Sequence, residues 1–297
     1  MRGALSIPGL QVAGFYRFTQ HVMEFRQEIV LEAGRTERNY WRDLLTYREL
    51  FATLAWRDIS VRYKQTIIGV SWALIQPLAS AIAFWMVFGK LAGMEAQGSM
   101  PYILTSFCGT MAWQFFATSL TGSSNSLVSN ANLLTKIYFP RLIVPTSAVI
   151  VAFVDFAIAF SILVALMLFL GVLPGFTMLL VPVFVVLICL LALGLGLWFA
   201  ALNVRFRDVR IIVPFIIQFG QLISPVGYAT SNVPAEFRLL YSMNPLVGII
   251  DGVRWAVLGQ EMVYPPALVL SLLITGLLLA SGIWYFRRTE RTFADII

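Results

Sequence analysis

From Gln65 to Gly89 the chain carries no charge, whereas the stretch just before it, Arg42 to Lys64, carries eight charged residues. The uncharged run QTIIGVSWALIQPLASAIAFWMVFG is long enough to cross the hydrocarbon of a bilayer, which takes about 20 apolar residues in a helix. The charged stretch places Trp41, Leu44, Leu45, Phe51, Leu54, Ala55 and Ile59 at helical steps of three and four. Arg42, Asp43, Arg48, Glu49, Arg57 and Asp58 lie between them. This spacing predicts an amphipathic helix that rests on an anionic membrane surface and leads into a span.

Further charge-free runs repeat the signal. At 59% hydrophobic and 12% charged, the chain has far fewer charges than the about 25% of soluble domains, which excludes a water-soluble globule. A second span is expected over about Tyr102 to Leu120, followed by a polar loop. The third follows Pro145 and the fourth ends near Asn203, with Leu173-Pro174-Gly175 as the turn between them. Ile211 to Tyr228 makes a fifth, and Met262 to Phe286 contains the sixth. The expected fold is an all-α integral membrane protein with six transmembrane helices.

Six spans place both termini on one side, and basic residues mark the cytoplasmic side. All of the 21 Lys and Arg residues except Lys90, Arg238 and Arg254 fall before the first span, after the second or fourth, or at the C-terminus. Both termini are therefore expected in the cytoplasm. The net charge of +6 is then a topology signal and does not indicate nucleic-acid binding. Residues 1–35 hold no apolar run of signal-peptide length and are expected to be a cytoplasmic extension. Cys108 and Cys189 both fall inside spans, and His21 has no second His nearby. No disulfide, metal site or catalytic residue is inferred.

Acidic groups at membrane depth mark proton relays and intramembrane catalysts. Asp155, in AVIVAFVDFAIAF, is the one clear candidate. It suits either pairing with a polar neighbour in another span or a direct transport role. A coupled secondary transporter would need more such groups and an internal repeat. A membrane-embedded glycosyltransferase would need acid, base or His groups at the membrane face, where Asp58 and Asp208 sit among Arg residues. No Gly-x-x-x-x-Gly-Lys-Ser/Thr pattern occurs, so ATP hydrolysis of the usual kind requires another subunit.

Three segments hold more than a connector needs. In TGSSNSLVSNANLLTKIYFPR, from about Gly122 to Arg141, Asn130, Asn132 or a nearby Ser can cap a short helix that Pro140 ends. Its Leu133, Leu134, Ile137, Tyr138 and Phe139 form an apolar face suited to a docking partner or to the chain's own spans. The outer segment, about Ser231 to Tyr264, is broken at Asn244-Pro245 into two pieces too short to cross, as in a re-entrant hairpin. Its Asp251 and Arg254, three apart, can pair on a helix or can gate an exit. The third is the loop Asn203 to Arg210, an anchor or a partner contact.

The runs RDISVRYKQTIIGVSWALIQPL (Arg57 to Leu78), LLTKIYFPRLIVPTS (Leu133 to Ser147), NVRFRDVR (Asn203 to Arg210) and MNPLVGIIDGVRWAVLG (Met243 to Gly259) resemble the permease subunit of ABC-2 type polysaccharide exporters. The Wzm-type O-antigen permeases are most similar, with teichoic-acid and capsule permeases near. The resemblance covers about residues 40–290. It implies an interface helix at 36–66, a six-helix domain at 67–286 with a coupling helix about 126–139 and outer re-entrant helices about 231–262, and a cytoplasmic tail at 287–297. It also implies a multi-pass protein of the bacterial inner membrane that exports undecaprenyl-linked polysaccharide. The chain would work as two copies with two ATP-binding cassette subunits, which bind the ATP and Mg, and would itself bind no cofactor and be no enzyme.

The resemblance further assigns residues. Arg57, Arg62, Leu133, Leu134, Lys136, Ile137, Tyr138 and Phe139 would couple to the ATPase. Trp72, Gln76, Phe84, Trp85, Phe88, Phe215, Gln218, Phe219 and Gln221 would line the sugar path, although each aromatic also suits lipid contact or core packing. Asn244, Pro245, Asp251 and Arg254 would form the outer gate.

Overall fold

The computed structural model describes residues 40–64, 69–91, 93, 100–136 and 139–293, with the side chains of 64–74 outside the described set. No strand occurs among the described residues. The chain divides into two compact units, Met1–Arg42 and Asp43–Ile297. In chain order the helices are α1 (Tyr40–Thr46), α2 (Arg48–Lys64), α3 (Gly69–Phe84), α4 (Tyr102–Ser129), α5 (Ala131–Lys136) and α6 (Ile143–Phe169). There follow α7 (Val181–Arg205), α8 (Val209–Ile223), α9 (Arg238–Tyr241), α10 (Pro245–Leu258) and α11 (Pro266–Thr289). A π-helical stretch, Trp85–Leu91, extends α3, and a 3₁₀ turn, Phe176–Leu180, leads into α7.

Three described helices are long and apolar enough to cross a membrane: Ile143–Phe169, Phe176–Arg205 and Pro266–Thr292. Ile75–Leu91 and Val209–Ile223 are apolar but shorter. The 15 residues of α8 rise only about 22 Å, short of the roughly 30 Å of hydrocarbon. The sequence predicted a longer fifth helix, to Tyr228. The chain instead leaves the helix at Ser224, which is extended ahead of Pro225.

The second expected span differs most. Its polar half does not form a loop but continues α4 to Ser129, for 28 residues of which twenty are buried. Four of its Ser and Thr hydroxyls bond back to carbonyls of their own helix: Thr110 to Ser106, Thr121 to Ala117, Ser124 to Thr121 and Ser126 to Ser123, at 2.7–3.0 Å. A hydroxyl satisfied in this way can enter an apolar interior without seeking water. α4 consequently forms the centre of the bundle, packed along α6 and α7 and touched by α3, α8 and α10.

Small residues set the spacing on α7. Gly194 and Gly196 point about 200° apart around the helix, so one meets α11 and the other α4. A Cβ on Gly196 would lie 2.4 Å from the Ser123 hydroxyl, and one on Gly282 of α11 would lie 2.4 Å from the Gly194 carbonyl. The two backbones therefore approach as closely as small-residue crossings in membranes allow.

Candidate functional site

At one end of the bundle α2 crosses α6, and several of its polar side chains reach across to neighbouring helices. Arg57 donates to its neighbour Asp58 and, through Nη2, to the Asn130 side-chain oxygen at 2.7 Å. Asn130 also starts α5, its carbonyl accepting from the amides of Leu133 and Leu134 at 3.0 and 3.2 Å, while its side-chain nitrogen donates to the Ser126 carbonyl at 2.9 Å. One residue turn further into the bundle, Arg62 Nη2 stands 2.7 Å from Asp155 Oδ2, and the Tyr63 hydroxyl donates to the other Asp155 oxygen. Burial, and then the bond to Asp155, push the Tyr63 phenol above its ordinary range, so it remains a donor at neutral pH. Asp155 is thus held by pairing, its partners coming from the surface helix α2 and not from another span.

The short helix corrects one expectation about the docking face. Leu134 and Phe139 are 5% and 3% exposed, so they pack inside this chain and cannot present themselves to a partner. Leu133 is half-buried, whereas Asn132, Thr135 and Lys136 are exposed. The physical reason is local: α5 is a single short turn, and burying its apolar side against the bundle is what holds it in place. Ile137 and Tyr138 lie outside the described residues, as does the Trp72 side chain. Of the apolar face expected over Trp41 to Ile59, Leu54 and Ala55 are buried, whereas Trp41 and Leu45 are exposed.

The residues assigned to a sugar path fall into three places. Gln76 lines a cavity of about 60 Å³ together with Arg62, Gln114, Thr118, Asp155 and Phe156. Phe84 and Phe88 stack at 5.8 Å between ring centres and lie against Gly227, while Lys90 sits 4.4 Å from the centre of the Trp85 ring. On α8, Phe215 and Phe219 pair at 4.3 Å and are exposed, as is Gln218, while Gln221 is half-buried.

The outer segment is built around Arg254. Asn244 caps α10, its side-chain oxygen accepting from the Leu246 amide at 3.0 Å, with Pro245 at the first helical position and the left-handed Gly259 at the end. From α10, Arg254 is 3% exposed and donates to the carbonyls of Thr105 (3.3 Å), Tyr228 (3.1 Å) and Val226 (2.9 Å). Its Nη1 lies 3.7 Å from Asp251 Oδ1. Burial raises the Asp251 carboxyl above the usual carboxylate range, with the Arg254 guanidinium opposing that shift. The Tyr102 hydroxyl donates to the Gly227 carbonyl, and the Asn244 side-chain nitrogen donates to the Ser224 hydroxyl at 2.9 Å. Residues 224–228 are therefore pinned to α4 and α10 by three side chains. Sequence reasoning missed Tyr63, Tyr102 and the Arg57–Asn130 contact. The lone acid at Asp155 was the available signal that a basic or hydroxyl partner must lie nearby.

Residues 49–258 match the ABC-2 type transporter family. The chain is 27% identical over 251 residues to an O-antigen export system permease protein RfbA of Klebsiella pneumoniae, covering 84% of this chain and 95% of the relative. It is 27% identical over 260 residues to the O-antigen export system permease protein RfbA of Myxococcus xanthus, covering 86% and 98%. A match over that much of the chain, in a bundle of apolar helices, shows that this protein belongs to the ABC-2 type transporter family of membrane permeases.

Proposed function

We propose that this chain is the membrane subunit of an exporter that moves O-antigen polysaccharide, carried on undecaprenyl diphosphate, across the inner membrane of a bacterium. The observation that carries this reading is the end-to-end similarity to O-antigen export permeases, 95–98% of whose length is matched. ATP is hydrolysed with Mg on a separate subunit, and two copies of each chain make the working assembly, with both termini in the cytoplasm.

The geometry supports a division of labour within that reading. α2 and the exposed side of α5, with Asn132, Thr135 and Lys136, suit contact with the ATP-binding subunit. Arg57 and Asn130 join those two elements directly, so a push on either reaches both. The exposed aromatic and amide residues of α8, with Phe84 and Phe88 of α3, suit a path between two copies. Ring faces slide along apolar sugar faces without a deep well, and Gln218 offers a hydrogen-bonding group. The segment around Arg254 suits the outer end of that path.

The test is transport of purified undecaprenyl-linked polysaccharide into inverted membrane vesicles that contain this chain and an ATP-binding subunit. Transport that requires ATP and both chains is the expected result. Polymer uptake driven by an ion gradient without ATP would overturn the reading.

A further inference from the structure

α2 is held to the bundle at two levels. The outer level is the Arg57–Asn130 contact at 2.7 Å, which ties α2 to the start of α5. The inner level is Arg62 and Tyr63 on Asp155, which lies near the midpoint of the 27-residue α6. The two attachment points on α2 are five residues apart, about 7.5 Å of helical rise. A helix held at one point pivots, whereas one held at two points keeps its direction relative to both neighbours.

The two ties differ in strength. Arg57 and Arg62 are exposed to a similar degree, 46% and 44%, but Arg57 is shared with its partly exposed neighbour Asp58, so its contact is the more easily exchanged for water. Asp155 has a side chain only 18% exposed and receives one oxygen contact from each of two donors. In that setting a charge-assisted bond is shorter in length and stronger than a neutral one. The neighbouring cavity of about 60 Å³, lined by Gln76, Gln114 and Thr118, leaves room for the pair to shift without clashing with α3 or α4.

We propose that Asp155 is a positioning residue for transport: through Arg62 and Tyr63 it fixes α6 to α2, so that displacement of α2 and α5 tilts α6. The inference rests on the ATP-driven reading above and deepens it by naming the residue that carries motion from the surface helix into the bundle.

The test uses the full chain with its ATP-binding subunit in membranes, with Cys108 and Cys189 replaced by Ala and spin labels placed through Ala52→Cys on α2 and Ala157→Cys on α6, both exposed positions. With the labelled chain diluted in an excess of the unlabelled one, so that each assembly carries labels on one copy only, the label-to-label distance in the parent is expected to be single and narrow with and without ATP. In Asp155→Leu it broadens, and polymer exported per ATP hydrolysed falls roughly tenfold, the size of coupling losses along such contacts. Reversing the pair, Arg62→Asp with Asp155→Arg, restores the ion pair but not the Tyr63 bond, since a guanidinium cannot accept it, and is expected to recover both readouts in part. If Asp155→Leu does not insert, Asp155→Asn, which keeps an acceptor for Tyr63 and removes the charge, carries the same comparison. Parental export per ATP in Asp155→Leu, or a reversed pair that inserts but exports no better than the single variants, overturns the proposal. Failure of the export reading looks different, because the parent then shows no ATP-dependent export. In that case a distance that broadens in Asp155→Leu still supports the α2–α6 tie, and one that stays narrow overturns it.

Discussion

Replacing Arg254 by Met removes the guanidinium while keeping most of the side-chain volume, so the change tests chiefly hydrogen bonding and charge. Three carbonyls lose a donor. That of Thr105 lies within α4 and keeps its helical partner. Those of Val226 and Tyr228 lie in the segment after α8 and are left as orphaned acceptors, at about 1–3 kcal/mol each. Asp251 loses its counter-charge at 3.7 Å, which removes the influence that opposes the upward shift burial gives its carboxyl. The sum is a loss of about 3–5 kcal/mol, in line with breaking one side of a buried ion pair. The assay is unfolding of the purified chain in detergent by increasing SDS, followed by circular dichroism. Arg238→Met, which removes one bond at 3.1 Å from a half-buried site, is the control and is expected to lose about 1 kcal/mol or less. An Arg254→Met chain within about 1 kcal/mol of the parent would refute the idea that this guanidinium closes the outer segment.

Phe139→Asp is expected to lower the amount of folded chain in the membrane, because it puts a carboxylate at a site 3% exposed, at a loss of several kcal/mol. Lys136→Glu, on the exposed side of α5, is expected to leave folding intact and to weaken co-purification with the ATP-binding subunit; equal yields of the two variants would contradict the burial assignment. Gly282→Leu forces the α7–α11 crossing apart, since even a Cβ there would stand 2.4 Å from the Gly194 carbonyl. A loss of about 2 kcal/mol or more in the same SDS titration is expected, and an unchanged midpoint would show that the helices separate freely.

Much of the architecture was legible because membrane insertion reads local composition. The charge-free runs marked three helices that meet the length and apolarity of a span, at α6, at α7 with its 3₁₀ lead-in, and at α11 with its final turn. The turn at Leu173-Pro174-Gly175 and the break at Asn244-Pro245 were likewise readable, since Pro and a capping Asn act on their immediate neighbours. The Asp251–Arg254 pair followed from helical spacing alone.

Where a residue's fate depends on a distant neighbour, the sequence was silent or misleading. TGSSNSLVS has the composition of a loop, yet it completes the central helix because the hydroxyls of Thr121, Ser124 and Ser126 turn back to their own backbone and the glycine of α7 can approach Ser123. Leu134 and Phe139 look available to a partner until the bundle is seen to cover them. A lone Asp155 announces that something must balance it, and only packing selects Arg62 and Tyr63 of α2. The chain by itself therefore determined that it enters a membrane, where three of its long apolar helices lie, and which groups need partners, because hydropathy, caps and turns are properties of adjacent residues. Which polar groups are satisfied, and which apolar ones are hidden, was decided by contacts between helices far apart in sequence, where the energy of burial resides.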